Sequence, residues 1–84
     1  METAYDRLKG VIAGVLAVSE KSIVPEASLI EDLGADSLDL VNLTFAVEEA
    51  FSNGGRTLKI PEEVAEEIRT VQQILDYLAQ KGIA

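Results

Sequence analysis

Side chains able to act as nucleophiles, general bases or metal ligands are few in this chain, and the missing types decide much of the reading. There is no histidine and no cysteine among its 84 residues. Serine–histidine and cysteine–histidine nucleophiles therefore lack a partner, and the commonest metal ligand is absent. Disulfide staples and thiolate metal sites are excluded as well. Carboxylates are abundant, and Glu31, Asp32, Asp36 and Asp39 crowd one stretch. The D-x-D-x-D-G spacing of an EF-hand loop is not among them, so they are read as weak surface attraction for divalent cations and no metal site is assigned. Of the hydroxyls, Ser37 has the most informative setting. It follows Gly34-Ala35-Asp36 at the end of a long irregular stretch and opens a segment with helical spacing. Most serines at a helix start serve only as caps. A group attached to this one would reach solvent, and a phosphodiester on its oxygen would meet the helix's positive end, where free N–H groups favour an anion.

The elements that must position Ser37 follow from periodicity and capping. Tyr5, Leu8, Ile12, Val15 and Leu16 share one helical face, and Thr3 with Asp6 has capping-box spacing, so a first helix is expected over about residues 4–17. Residues 19–36 hold no helical period and are punctuated by Pro25 and Gly34. A connection this long needs anchors. Ile23, Leu29 and Leu33 are expected to pin it to the helices, with a short helical turn over 29–33. Asp36 and Asp39 repeat the capping spacing, so the next helix begins at Ser37 or Leu38 and runs to Phe51. Leu40, Leu43, Thr44, Val47 and Phe51 form its buried stripe. A second set, Leu38, Val41 and Phe45, lies about 100° round the helix and is flanked by Asp39, Glu48 and Glu49. So small a domain has little core to cover both faces, and the second set reads as an exposed docking strip with an acidic rim.

Asn53-Gly54-Gly55 signals a turn within the link 52–59, which also carries Arg56 and Lys59. Pro61, Glu62 and Glu63 suit the start of a short third helix carrying Val64, Ala65 and Ile68. Thr70 and Gln73 form a further capping box before a last helix with Val71, Ile74, Leu75 and Leu78 inward, and Gly82 suits its end. The expected architecture is all-α: one domain over 1–84, a small four-helix bundle with a short third helix and a long first loop.

Composition narrows the function classes. Fifteen acidic against seven basic residues give a net charge of −8, which argues against nucleic acid or anionic membrane as partners and favours basic protein surfaces. No apolar run reaches the roughly 20 residues of a membrane span, and METAYDRLKG lacks a signal-peptide core, so a cytoplasmic monomer is expected. A core this small can hardly enclose an autonomous active site, so the chain is not expected to be an enzyme.

The run Ile23-Val24-Pro25-Glu26-Ala27-Ser28-Leu29-Ile30-Glu31-Asp32-Leu33-Gly34-Ala35-Asp36-Ser37-Leu38-Asp39 resembles the loop and attachment motif of acyl carrier proteins. The resemblance continues through Val41, Leu43, Ala46, Glu48, Glu49 and Phe51, then Ile60-Pro61 and Thr70-Val71, covering nearly the whole chain. It implies a 4′-phosphopantetheine arm on Ser37, placed there from coenzyme A by a Mg²⁺-dependent phosphopantetheinyl transferase. The arm's thiol would carry acyl groups as thioesters between acyl-processing enzymes in fatty-acid or related lipid or polyketide synthesis. Basic patches on those enzymes would read Asp36, Leu38, Asp39, Val41, Phe45, Glu48 and Glu49. The resemblance also implies that the acyl chain folds between the helices. Asn42, Phe45 and the long link 52–59 depart from the pattern common in fatty-acid carriers and point to a pathway-dedicated carrier. An aminoacyl carrier (D-alanyl or peptidyl) and an unmodified helical adaptor are the alternatives.

Overall fold

The computed structural model describes residues 3–52 and 58–82. The expected turn at Asn53-Gly54-Gly55 and the residue Arg56 lie outside them. Among the described residues there are four helices and no strand: α1 (Ala4–Leu16), α2 (Ser37–Phe51), α3 (Glu62–Glu67) and α4 (Val71–Gln80). The all-α architecture expected from the periodicity is the one observed. All three capping boxes are present, on Thr3 and Asp6, Asp36 and Asp39, and Thr70 and Gln73. In each, the cap side chain satisfies one of the N–H groups that a helix start leaves without an internal partner.

Leu8 and Ile12 of α1 meet Leu43, Val47 and Phe51 of α2 and Ile74 and Leu78 of α4 in one apolar core, with no buried polar residue among those described. Arg7 ties α1 to the far end of α2, its guanidinium 5.8 Å from the centre of the Phe51 ring and 3.5 Å from the Ala50 carbonyl oxygen. A cation suits that position, because the end of a helix carries partial negative charge.

The long loop is anchored as expected, with Ile23, Leu29 and Leu33 buried, and Ala27 and Ala35 join them. Its backbone is also stitched to the start of α4. Leu29 N–H donates to the Arg69 carbonyl at 2.9 Å, and the N–H groups of Val71 and Gln72 donate to the carbonyls of Ala27 and Pro25 at 3.3 and 2.9 Å. The first two orphan donors of α4 are thus satisfied by the loop. On the other side the Tyr5 hydroxyl donates to the Ile23 carbonyl at 3.1 Å.

Three boundaries differ from expectation, each for a local reason. Helix α1 stops at Leu16 because Ala17 takes a left-handed backbone (φ 56°) and caps it. Residues 29–33 form hydrogen-bonded turns instead of a helical turn, since Ser28 and Leu29 are committed to pairing with Thr70 and Arg69. The same pairing keeps Ile68 extended just beyond α3, where it is buried as part of the core. A single 3₁₀ turn, Glu20–Ser22, capped by Ser19, precedes the anchored part of the loop.

Leu29 is fully buried at the seam between loop and α4. Leu29→Ala is expected to cost about 2–5 kcal/mol, read as a lowered urea midpoint. A loss under about 1 kcal/mol would show that the loop is held by its backbone bonds alone.

The Asp6 carboxyl is held below its ordinary value by the Thr3 backbone N–H first, then the Thr3 hydroxyl, with a weaker pull from Lys9. A lowered folded pKa means that its contribution is fully present above the ordinary 3.8 and is lost as pH falls through the lowered value. The Thr3 and Asp6 amide shifts should therefore titrate below 3.8. A midpoint at or above that value would contradict the capping box.

Candidate functional site

Ser37 is the first residue of α2 and is exposed. It is not the cap. Asp36 takes that role, its Oδ1 accepting the Asp39 N–H at 2.8 Å while the Asp36 N–H donates to Asp39 Oδ2 at 3.2 Å. The Ser37 hydroxyl makes no hydrogen bond among the described residues, and neither do the N–H groups of Ser37 and Leu38. The two helix starts fed by the loop therefore differ. At α4 the loop covers the first two donors with carbonyls, and at α2 it leaves them open beside a free hydroxyl.

Local sequence explains this placement. Gly34 has φ 76°, a left-handed value that glycine adopts without the steric cost other residues meet. Its N–H donates to Ile30 O at 3.2 Å, and the next N–H, that of Ala35, donates to Leu29 O at 2.9 Å. Ala35 is buried while Asp36 and Ser37 are exposed. The chain is gripped at Ala35 and released one residue later, which leaves Ser37 exposed beside an anchored backbone.

The second face of α2 is exposed as expected. Leu38, Val41 and Phe45 keep 67%, 48% and 63% of their surface in solvent, an unusual share for large apolar side chains on one helix. Val24 and Ile30 on the loop are exposed too. Leu43, Val47 and Phe51 of the opposite stripe are buried, with Leu40 and Thr44 partly so.

The acidic rim is less uniform than the sequence suggested. Asp36 and Asp39 are tied into the capping box. Glu48 is partly buried, and its Oε2 accepts the Ile60 N–H at 2.6 Å. Of the four acids, Glu49 alone is exposed and outside any of these bonds.

Sequence reasoning did not locate the cavity between α2, α3 and the loop. Leu29, Leu40, Thr44, Val47, Ile60 and Ile68 are among its walls, and it holds only ≈10 Å³, about one water. The lining is apolar, and the one hydroxyl, on Thr44, is turned back to donate to Val41 O at 2.8 Å. Thr44 on the inward stripe was the sequence signal for this wall; the approach of Ile60 had none.

The described residues thus present a free serine hydroxyl at an open helix start, with an exposed apolar strip on the same helix. The family model described as Phosphopantetheine attachment site matches residues 6–78, and the chain belongs to that family. It is also 49% identical over 78 residues to the acyl carrier protein of Syntrophobacter fumaroxidans (strain DSM 10017 / MPOB), spanning 93% of this chain and 90% of that one. The protein is thus a phosphopantetheine-bearing acyl carrier and not a catalyst. The start of α2 is chemically compatible with such a group: an unbonded serine hydroxyl can take a phosphodiester, and the two open N–H groups beside it favour an anion.

Because Asp36 caps α2 and Ser37 does not, the two substitutions separate. Asp36→Ala should cost about 0.5–2 kcal/mol, whereas Ser37→Ala should stay within about 0.5 kcal/mol, both read by urea unfolding of the unmodified protein. Equal losses would return the capping role to Ser37.

Proposed function

We propose that Ser37 is the residue that receives phosphopantetheine, and that the exposed face of α2 is what partner enzymes read. The observation that carries this is the free Ser37 hydroxyl beside two open N–H groups, at the head of the helix that exposes Leu38, Val41 and Phe45. In the loading step the Ser37 oxygen bonds to the phosphorus bearing the pantetheine. The pyrophosphate bond of coenzyme A breaks, the adenosine bisphosphate half leaves, and the serine proton passes to a base of the transferase. The arm's terminal thiol then supplies what this cysteine-free chain lacks, a nucleophile that holds acyl groups as thioesters.

Partners of this reading are the phosphopantetheinyl transferase and acyl-processing enzymes with basic patches. Leu38, Val41 and Phe45 provide the desolvated centre of the contact and Asp36, Asp39 and Glu49 its charged edge. The apolar cavity is the seat for the cargo. Its apolar lining suits an apolar acyl chain, which supports a role in fatty-acid or related lipid or polyketide synthesis, with the cytoplasm as the expected setting. No helix among the described residues is long and apolar enough to cross a membrane.

Intact-protein mass spectrometry after incubation with coenzyme A, Mg²⁺ and a broad-specificity transferase should show one phosphopantetheine increment, and Ser37→Ala should abolish it. An increment that survives the substitution would move the attachment elsewhere. Phe45→Lys should weaken transferase binding by about tenfold or more, as expected for a central apolar anchor, with the helical circular dichroism unchanged. Undiminished binding would remove this face from the docking surface.

A further inference from the structure

Glu48 and Glu49 both sit in the last turn of α2, where the helix's own partial charge disfavours carboxylates, and no basic residue shares that turn. An acid kept there needs another reason, and for Glu48 the structure supplies one. Its Oε2 accepts the Ile60 N–H at 2.6 Å, a charge-assisted bond spanning twelve residues. Two more side chains grip the same short segment, residues 58–60. The Ser52 hydroxyl oxygen accepts the Leu58 N–H at 3.0 Å, and the Tyr77 hydroxyl of α4 donates to the Lys59 carbonyl at 2.6 Å.

Ile60 of this segment is a wall of the cavity. Ile60 faces Leu40, Thr44 and Val47 of α2 and Ile68 beyond α3 across the apolar space. At ≈10 Å³ that space is closed to an acyl chain; a cavity of about 150 Å³ is needed even for a benzene ring. Cargo therefore enters only if a wall moves. Most of the walls are helical or fully buried, as Leu29 is, and repacking them disturbs the core. Of the walls outside helices, Leu29 and Ile68 are buried in the core, whereas Ile60 in the strap is only partly buried; the strap is held by side-chain bonds to its backbone, and the bond to Glu48 alone involves a charged group.

We propose that Glu48 acts as a latch: it holds Ile60 over the cavity, and a cationic partner group that captures its carboxylate frees the strap and lets the cavity widen. Arginine is suited to this capture, since its paired donors match a carboxylate better than a single backbone N–H does. Glu48 is a positioning residue, acting on cargo through Ile60. The consequence for cargo rests on the reading of the cavity as its seat, but the latch itself is measurable on the unmodified protein.

Amide hydrogen exchange by NMR provides the test. In Glu48→Ala the Ile60 amide should exchange about tenfold faster or more, as expected when a charge-assisted bond is lost from a locally opening segment. The Leu78 amide, inside the core helix α4, should keep its rate. Glu48→Gln retains an acceptor oxygen and should restore most of the Ile60 protection. An arginine-bearing amphipathic peptide should speed Ile60 exchange in the native protein, and much less in Glu48→Gln, which offers no charge to capture. An unchanged Ile60 rate in Glu48→Ala overturns the latch, and an equal peptide effect on native protein and Glu48→Gln overturns its release by cations. Either failure leaves attachment at Ser37 standing, because the mass increment is read independently.

Discussion

The arrangement of this carrier depends on one exchange of hydrogen bonds, between the long loop and the start of α4. A helix start exposes donors that must find acceptors, and a long loop presents backbone groups that cannot be buried unpaired. Here each solves the other's problem. The carbonyls of Pro25 and Ala27 take the first two N–H groups of α4, and Leu29 N–H is taken by Arg69. With its backbone paired, the loop can bury Ala27, Leu29, Leu33 and Ala35 in the core. A segment that would otherwise add only entropy to the unfolded chain becomes a rigid support for Ser37.

The same exchange explains why the two helix starts differ. The loop turns carbonyls toward the start of α4 and none toward the first N–H groups of α2. Asp36 supplies one cap bond, and the remaining donors stay open. Two N–H groups suited to an anion are thus left open beside the Ser37 hydroxyl, with no dedicated binding residue near them. The exposed strip of Leu38, Val41 and Phe45 lies on the same helix as Ser37, so on the proposed reading a partner that grips the strip also orients the arm.

Much of this was legible in the sequence because it is local. Capping boxes are written within four residues, and Thr3, Asp36 and Thr70 each acted as their spacing predicted. The buried and exposed faces of α2 could be separated by helical period alone. What escaped was pairing between distant segments. Nothing near Ser28 announces that its partner is Thr70, so residues 29–33 were expected to coil into a helical turn, and Ile68 was expected inside α3. Glu48 escaped for the same reason. Periodicity places it on the rim beside Glu49, but only the fold brings Ile60, twelve residues on, against its carboxylate. The case for Ser37 came less from the serine than from the run around it, since a serine before a helix is common and an unengaged one cannot be recognised until its neighbour is seen to cap.

The few cations of the chain have a consequence for how fast partners arrive. Of its seven basic residues, four are occupied internally. Arg7 lies against Phe51, Lys9 pairs with Asp6, Arg69 donates to the carbonyls of Glu66 and Ile68, and Lys81 sits over Tyr77. Asp36, Asp39 and Glu49, on or beside the Leu38, Val41 and Phe45 face, form no ion pair among the described residues. An uncompensated field of one sign draws an oppositely charged surface from a distance of order the Debye length, roughly 8–10 Å in physiological salt. Such a field raises the rate of encounter more than it lengthens the life of the complex. For a carrier that must visit one enzyme after another, rapid arrival without slow departure is the useful combination, and it is set here by where the positive charges are kept.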